Sequence, residues 1–157
     1  MTEMDLAEGY LFRGLNDAQR EIVSASTAGV DIEPGDVIYR EGEESEAIYM
    51  LSSGAVELVT SVNNHIELPV SIVRNPGEMF GSSALIEPYL HTLTAKCQSA
   101  GNILVIGRRD LQEYMSEVHE VGLIIMANLA AYLLSQLRES RQELKIHFKT
   151  LLRSFRA

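Results

Sequence analysis

Between residues 28 and 107 the chain alternates apolar and polar residues in short runs, and nearly every run ends at a glycine or a polar turn. Few folds accept that pattern. Val30 and Ile32 alternate before Pro34-Gly35, then Val37 and Tyr39 before the polar loop Glu41-Gly42-Glu43-Glu44-Ser45. Ile48, Met50 and Leu51 precede Ser53-Gly54, read as a turn, and Val56, Leu58 and Thr60 precede Asn63-Asn64, a pair suited to the positive φ angles of a two-residue hairpin. Leu68, Val70 and Ile72 follow, with Pro69 confining that strand to an edge or a bulge. Leu93, Ala95 and Cys97 share one face of a later strand, and Ile103 to Ile106 forms the last. The spacing predicts seven or eight short strands in an antiparallel jelly roll or β-roll sandwich, mainly β with flanking helices.

The flanks read differently. Asn16 with Gln19 three residues on predicts a capped short helix over about Asp17 to Ala25. In the tail, Leu123, Ala127, Ala130, Leu134, Leu137, Arg141, Leu144, Phe148, Leu151 and Phe155 recur at alternating steps of four and three. That is an a/d seam on a helix which no Gly or Pro interrupts from residue 123 onward. At 1.5 Å per residue it is ~50 Å long, more than one small β-roll can cover. The seam implies a homodimer through Leu123, Ala127, Ala130, Leu134 and Leu137, the alternative being a helix folded back on its own domain. Arg141 interrupts the seam and should weaken or bend the coil there. The organisation expected is a β-roll with its N-terminal helix over 1–117 and a dimerisation helix with a basic tail over 118–157.

Charge divides along the same line. Residues 1–137 hold 7 basic and 20 acidic groups, whereas residues 138–157 hold 6 and 2. An acidic body argues against a broad nucleic-acid surface. The basic run suits the C-terminal end of a helix dipole, and without a second helix behind a turn it does not read base sequence by itself.

One segment carries chemistry. Asn75-Pro76-Gly77-Glu78-Met79-Phe80-Gly81-Ser82-Ser83-Ala84-Leu85 leads to His91-Thr92-Leu93-Thr94-Ala95. A Pro-Gly turn, an aromatic-Gly pair, one apolar helical turn and a return strand place backbone N–H groups around a small anion. This stretch resembles the phosphate-binding cassette of cyclic-nucleotide-binding domains. Glu33-Pro34-Gly35-Asp36-Val37-Ile38, Gly42, Ala47-Ile48-Tyr49-Met50 and Ser53-Gly54-Ala55-Val56 are similar to the first half of that family's β-roll. The resemblance covers about residues 10–135. It implies a catabolite-activator-like, non-enzymatic regulatory domain that senses a small ligand, with Gly81, Ser82, Ser83, Ala84, His91 and Thr92 as its ligand-binding residues.

The resemblance also exposes a departure. In the family a Glu after the Phe-Gly pair holds the ribose hydroxyl, and an Arg ten residues beyond the Gly pairs with the cyclic phosphate. Here those positions are Ser82 and His91. Losing both charge-assisted contacts removes about 3–6 kcal/mol, enough to turn a micromolar site roughly millimolar. The hydroxyls of Ser82, Ser83 and Thr92, and a protonated His91, would compensate in part. The expectation is weak binding of cyclic AMP or cyclic GMP, binding of a different anionic or neutral ligand, or an empty pocket kept as an interaction scaffold. A further alternative is the sensory part of a transcription regulator without its helix-turn-helix.

Other chemistries lack the residues they need. Cys97 is the sole cysteine, which excludes an intramolecular disulfide and multi-thiolate metal sites, and it is expected in the core. The four histidines share no metal-ligand spacing, and nothing selects His91 or His119 as an axial haem ligand. No nucleophile–base order or Walker-type loop suggests an enzyme. The start MTEMDLAEGY has no apolar signal core, and Val121 to Leu134 is too short to span a bilayer, so the chain is expected in the cytoplasm with no membrane contact.

Overall fold

The computed structural model describes Leu6 and residues 9–156. The reading of the extreme N-terminus as lacking a signal core falls mostly on residues outside this set, as do the outermost ends of both expected units. A 3-10 turn at Tyr10–Phe12 leads into α1, Asp17–Ala25. Its capping box is realised: the Asn16 side chain accepts from the Gln19 N–H at 2.8 Å, and the Asn16 N–H donates to the Gln19 side chain at 2.9 Å.

Among the described residues six antiparallel strands form one sheet: β1 Thr27–Ile32, β2 Val37–Tyr39, β3 Ala47–Asn63, β4 Ile66–Val73, β5 Met79–Phe80 and β6 Thr94–Gly107. The path runs β1-β6-β3-β4, with β2 on β6 and β5 on β3. The count falls below seven or eight because runs read as separate strands are continuous: residues 48–51 and 56–60 both lie in β3, and residues 95–97 and 103–106 both lie in β6. Ser53-Gly54 lies inside the 17-residue β3, where the register against β6 shifts between Leu51 and Val56. There the two backbones cross almost in contact. A Cβ at Gly54 would stand 2.5 Å from the Ser99 carbonyl oxygen, and one at Gly101 would stand 2.1 Å from that of Ser53. Glycine serves a close crossing here rather than a reversal.

The hairpin after β3 also differs from expectation. Its loop is Asn64-His65, and among the described residues no asparagine adopts positive φ. Asn63 instead accepts the His65 N–H through its side chain at 3.0 Å, an Asx-type turn that needs no left-handed residue. Pro69 behaves as expected, sitting on the edge strand β4 beside a register shift.

The strands divide the interior in two because alternate residues of β3 face opposite ways. Ile48 and Met50 join a helix-side core with Phe12, Val23, Leu104 and Leu111. Leu51 joins the interior of the roll with Tyr39, Val56, Phe80 and Ile103, and buried Cys97 packs there as a small apolar residue.

After β6 the chain forms α2, Arg108–Glu117, and then α3, His119–Arg156, with extended backbone at Val118 between them. Helix α2 was not signalled by the sequence: it buries only Leu111 fully, and its N-cap, Gly107, makes no side-chain hydrogen bond. Gly122 lets the two helices meet, since a Cβ there would lie 2.9 Å from the Met115 carbonyl. Val121, Ile125 and Leu129 of α3 are buried in the helix-side core. The Asn128 side chain donates to the carbonyls of Leu11 and Arg13, both at 2.8 Å, and the Tyr132 hydroxyl donates to the Met79 carbonyl at 3.0 Å. The stripe that packs on the domain is therefore not the a/d seam, whose members from Leu123 to Phe155 are exposed. Part of α3 is also long and apolar enough to cross a membrane by length and composition, which revises the estimate made from Val121 to Leu134 alone.

Candidate functional site

Residues upstream of the cavity set its geometry. Gly81 follows β5 at φ +74°, and a Cβ there would meet the Tyr49 ring at 2.8 Å, so only glycine fits. It opens the 3-10 turn Ser82–Leu85, in which Ala84 N–H bonds the Gly81 carbonyl at 3.3 Å. The first N–H groups of such a turn find no carbonyl within it, leaving those of Ser82 and Ser83 available. The loop Glu41–Ser45 fixes the other wall. His91 N–H donates to the Glu43 carbonyl at 2.9 Å, while Gly42 N–H donates to the His91 carbonyl at 2.8 Å. Arg108 steadies that loop from α2, donating to the Ser45 carbonyl at 2.9 Å and to Glu44 at 3.2 Å.

These elements enclose a cavity of about 360 Å³ under helix α3. Gly81, Ser82, Ser83, His91 and Thr92 all line it. Ala84 does not; it is fully buried in the helix-side core. His119 is likewise not among the lining residues.

The His91 ring stacks on Tyr39 with centroids 3.7 Å apart and planes 8° from parallel, and the residue is only 4% exposed. Burial holds its pKa below the ordinary imidazole value, opposed by the nearby charge of Glu43. A neutral ring is thus its resting form at neutral pH. Burial also raises the Tyr39 hydroxyl, with the charges of Tyr49 and Tyr132 adding to it. Tyr39, Tyr49 and Phe80 extend the aromatic cluster, with centroids 5.3–6.2 Å apart.

Sequence reasoning missed the roof. Tyr132, Gln136, Glu139 and Glu143 of α3 line the cavity from the side away from the a/d seam. Their three- and four-residue steps were legible as a helical face, but the apolar seam hides that polar face from a pattern search. Tyr132 is pushed up first by burial and then by the charge of Glu78, with Glu139 adding, so two carboxylates bear on one phenol. Among the described residues no Lys or Arg lines the cavity.

Comparison with known proteins bears on this arrangement. Residues 30–118 match the family model for the cyclic nucleotide-binding domain. The chain is 33% identical over 106 residues to a cGMP-dependent protein kinase of Eimeria tenella, covering 64% of this chain and 10% of that protein. It is 32% identical to the nitrogen fixation regulation protein FixK of Rhizobium meliloti, covering 64% of this chain and 46% of FixK. The cyclic AMP receptor protein of Thermus thermophilus is 29% identical, over 71% of this chain and 50% of its own length. The chain thus spans half or less of these relatives. Among solved structures, the N-terminal domain of a transcriptional regulator from Streptomyces coelicolor matches with a TM-score of 0.68 and 26% identity, covering 88% of this chain and 94% of that one. The Thermus thermophilus catabolite activator protein matches in fold at TM-score 0.71 and 24% identity, over 88% and 62%.

Proposed function

Because this chain belongs to the cyclic nucleotide-binding domain family, we propose that it is a non-enzymatic regulatory module in which one helix serves both a ligand cavity and a dimer interface. The two stripes of α3 carry this reading. Tyr132, Gln136 and Glu139 line the cavity, while Leu123, Leu134 and Leu137 on another side of the same helix are 71%, 45% and 45% exposed. An apolar seam left open on a soluble domain favours a second copy, as in a parallel coiled coil. A ligand that alters how α3 sits on the roll would then alter what the dimer presents. The module acts in the cytoplasm, and α3 has the domain rather than lipid as its neighbour through Val121, Ile125 and Leu129.

In this reading cyclic AMP and cyclic GMP bind weakly. Ser82 lacks the carboxylate and neutral His91 lacks the forked cation that would grip a cyclic phosphate. Calorimetry with cyclic AMP tests this directly. The unmodified protein should bind in the millimolar range, and the double variant Ser82→Glu with His91→Arg should tighten binding about a hundredfold or more. Sub-micromolar binding by the unmodified protein would overturn it.

A further inference from the structure

The charge of the cavity selects a ligand of the opposite kind from the one its fold suggests. It has carboxylates at Glu78 on the floor and at Glu139 and Glu143 on the roof, and among the described residues no Lys or Arg faces them. Glu78 already accepts the backbone N–H of Asn75 at 2.9 Å, so the two roof carboxylates are the free ones. The remaining polar lining includes the hydroxyls of Ser71, Ser82, Ser83, Thr92 and Ser140 and the amide of Gln136, uncharged groups each able to accept a hydrogen bond. His91 adds a separate observation. Its imidazole is 4% exposed, lines the cavity, and has no side-chain hydrogen bond among the described residues. A ring nitrogen that the protein leaves unpaired at a cavity is open to a ligand's hydrogen bond. Tyr39, Phe80 and Tyr132 give the cavity aromatic walls, and an aromatic ring attracts a cation through its quadrupole.

Carboxylates, unpaired acceptors and aromatic faces converge on one chemistry. Resting on the ligand-sensing reading above, the geometry points to a small organic cation, an ammonium group on an apolar or aromatic body, as the ligand of this cavity. The ammonium sits toward Glu139 and Glu143, with a ring nitrogen of neutral His91 as a further acceptor, and the apolar body lies against Phe80 and Tyr132. A phosphate in the same place has the Ser82 and Ser83 N–H groups to bind but meets three carboxylates and, among the described residues, no Lys or Arg.

An isosteric series separates charge from shape. Phenethylammonium, 2-phenylethanol and phenylacetate share one ring on a short chain and differ in charge at its end; each is titrated into the full chain by calorimetry beside cyclic AMP. The expected order is cation first, alcohol about tenfold weaker, and anion undetectable. Glu139→Gln with Glu143→Gln should weaken the cation about tenfold and leave the alcohol unchanged, whereas Glu113→Gln with Glu117→Gln on α2 should change neither. Phenylacetate or cyclic AMP binding as well as phenethylammonium would overturn the cation assignment while leaving the ligand-sensing reading standing. Failure of all four compounds at millimolar concentration would overturn both. An equal loss from the α2 control would reduce the effect to overall charge and also overturn the assignment.

Discussion

Helix α3 is two helices in one continuous hydrogen-bonded rod, and the comparison between its halves is instructive. The first half, to about Tyr132, seats Val121, Ile125 and Leu129 in the core and ties Asn128 and Tyr132 to backbone carbonyls of the N-terminal turn and β5. The second half, from Arg138, has only exposed residues, including Leu144, Phe148 and Phe155, the last 85% exposed. Both halves carry apolar residues at helical spacing. Burial rather than pattern divides them, so what a stripe packs against has to be learned from the tertiary structure.

The difference should appear most plainly in stability. Ile125→Ala should lower the unfolding free energy by about 2–5 kcal/mol in urea, because it opens a cavity in a filled core. Phe148→Ala should change the monomer by less than about 0.5 kcal/mol, and a comparable loss at both positions would erase the distinction. The second contrast concerns assembly. Leu134→Glu with Leu137→Glu should halve the mass seen by light scattering while the far-ultraviolet circular dichroism keeps its β signal. A wild type already monomeric at tens of micromolar, a range roughly typical for coiled-coil dimers, would leave the exposed half without the partner assigned to it. A smaller effect attends the tether between the seated half and the N-terminal turn: Asn128→Ala removes two hydrogen bonds and should cost about 1–2 kcal/mol.

The smallest expected effect belongs to the cavity wall. Burial keeps the pKa of His91 below its ordinary 6.5, so on acidification the unfolded chain takes up its proton before the folded one does. The stability this contributes is complete above pH 6.5 and is lost as pH falls from there through the folded value. The slope cannot exceed about 1.4 kcal/mol per pH unit for one proton. His91→Phe keeps a ring against Tyr39 and should flatten that part of the profile between pH 7.5 and 5.5, a range chosen to bracket roughly the imidazole value. A profile unchanged in the variant would show that some other group titrates there.

Much of the fold could be read from local chemistry. The Asn16 capping box, the bounds of α1, the edge placement of Pro69 and the core placement of Cys97 each depend on interactions a few residues long. What escaped depends on distant partners. Ser53-Gly54 looks like a turn because glycine permits one, yet its conformation answers to Ser99 and Ala100 on another strand. Helix α2 has too few apolar residues to announce itself, and Leu111 finds its place only once α1 and α3 are assembled around it. The candidate site divides in the same way. The cassette residues, at 81–84 and 91–92, lie close together in the chain and meet at one cavity, except Ala84, which is in the core. Its aromatic and acidic walls come from β2 and α3, and no single segment contains them.

The seating of α3 has a mechanical consequence. Its last firm anchor is the Tyr132 hydroxyl on Met79, one residue before the Phe80-Gly81 floor of the cavity. Beyond that fulcrum about 35 Å of helix, at 1.5 Å per residue, reaches Phe155, roofing the cavity as far as Glu143 and exposed from Leu144 onward. An inclination of about ten degrees at Tyr132 sweeps the far end through about 6 Å, more than a full helical turn's rise of 5.4 Å. The exposed half is a lever arm. A shift near the ligand too small to disturb the β-roll arrives at the tip as a displacement a partner can register.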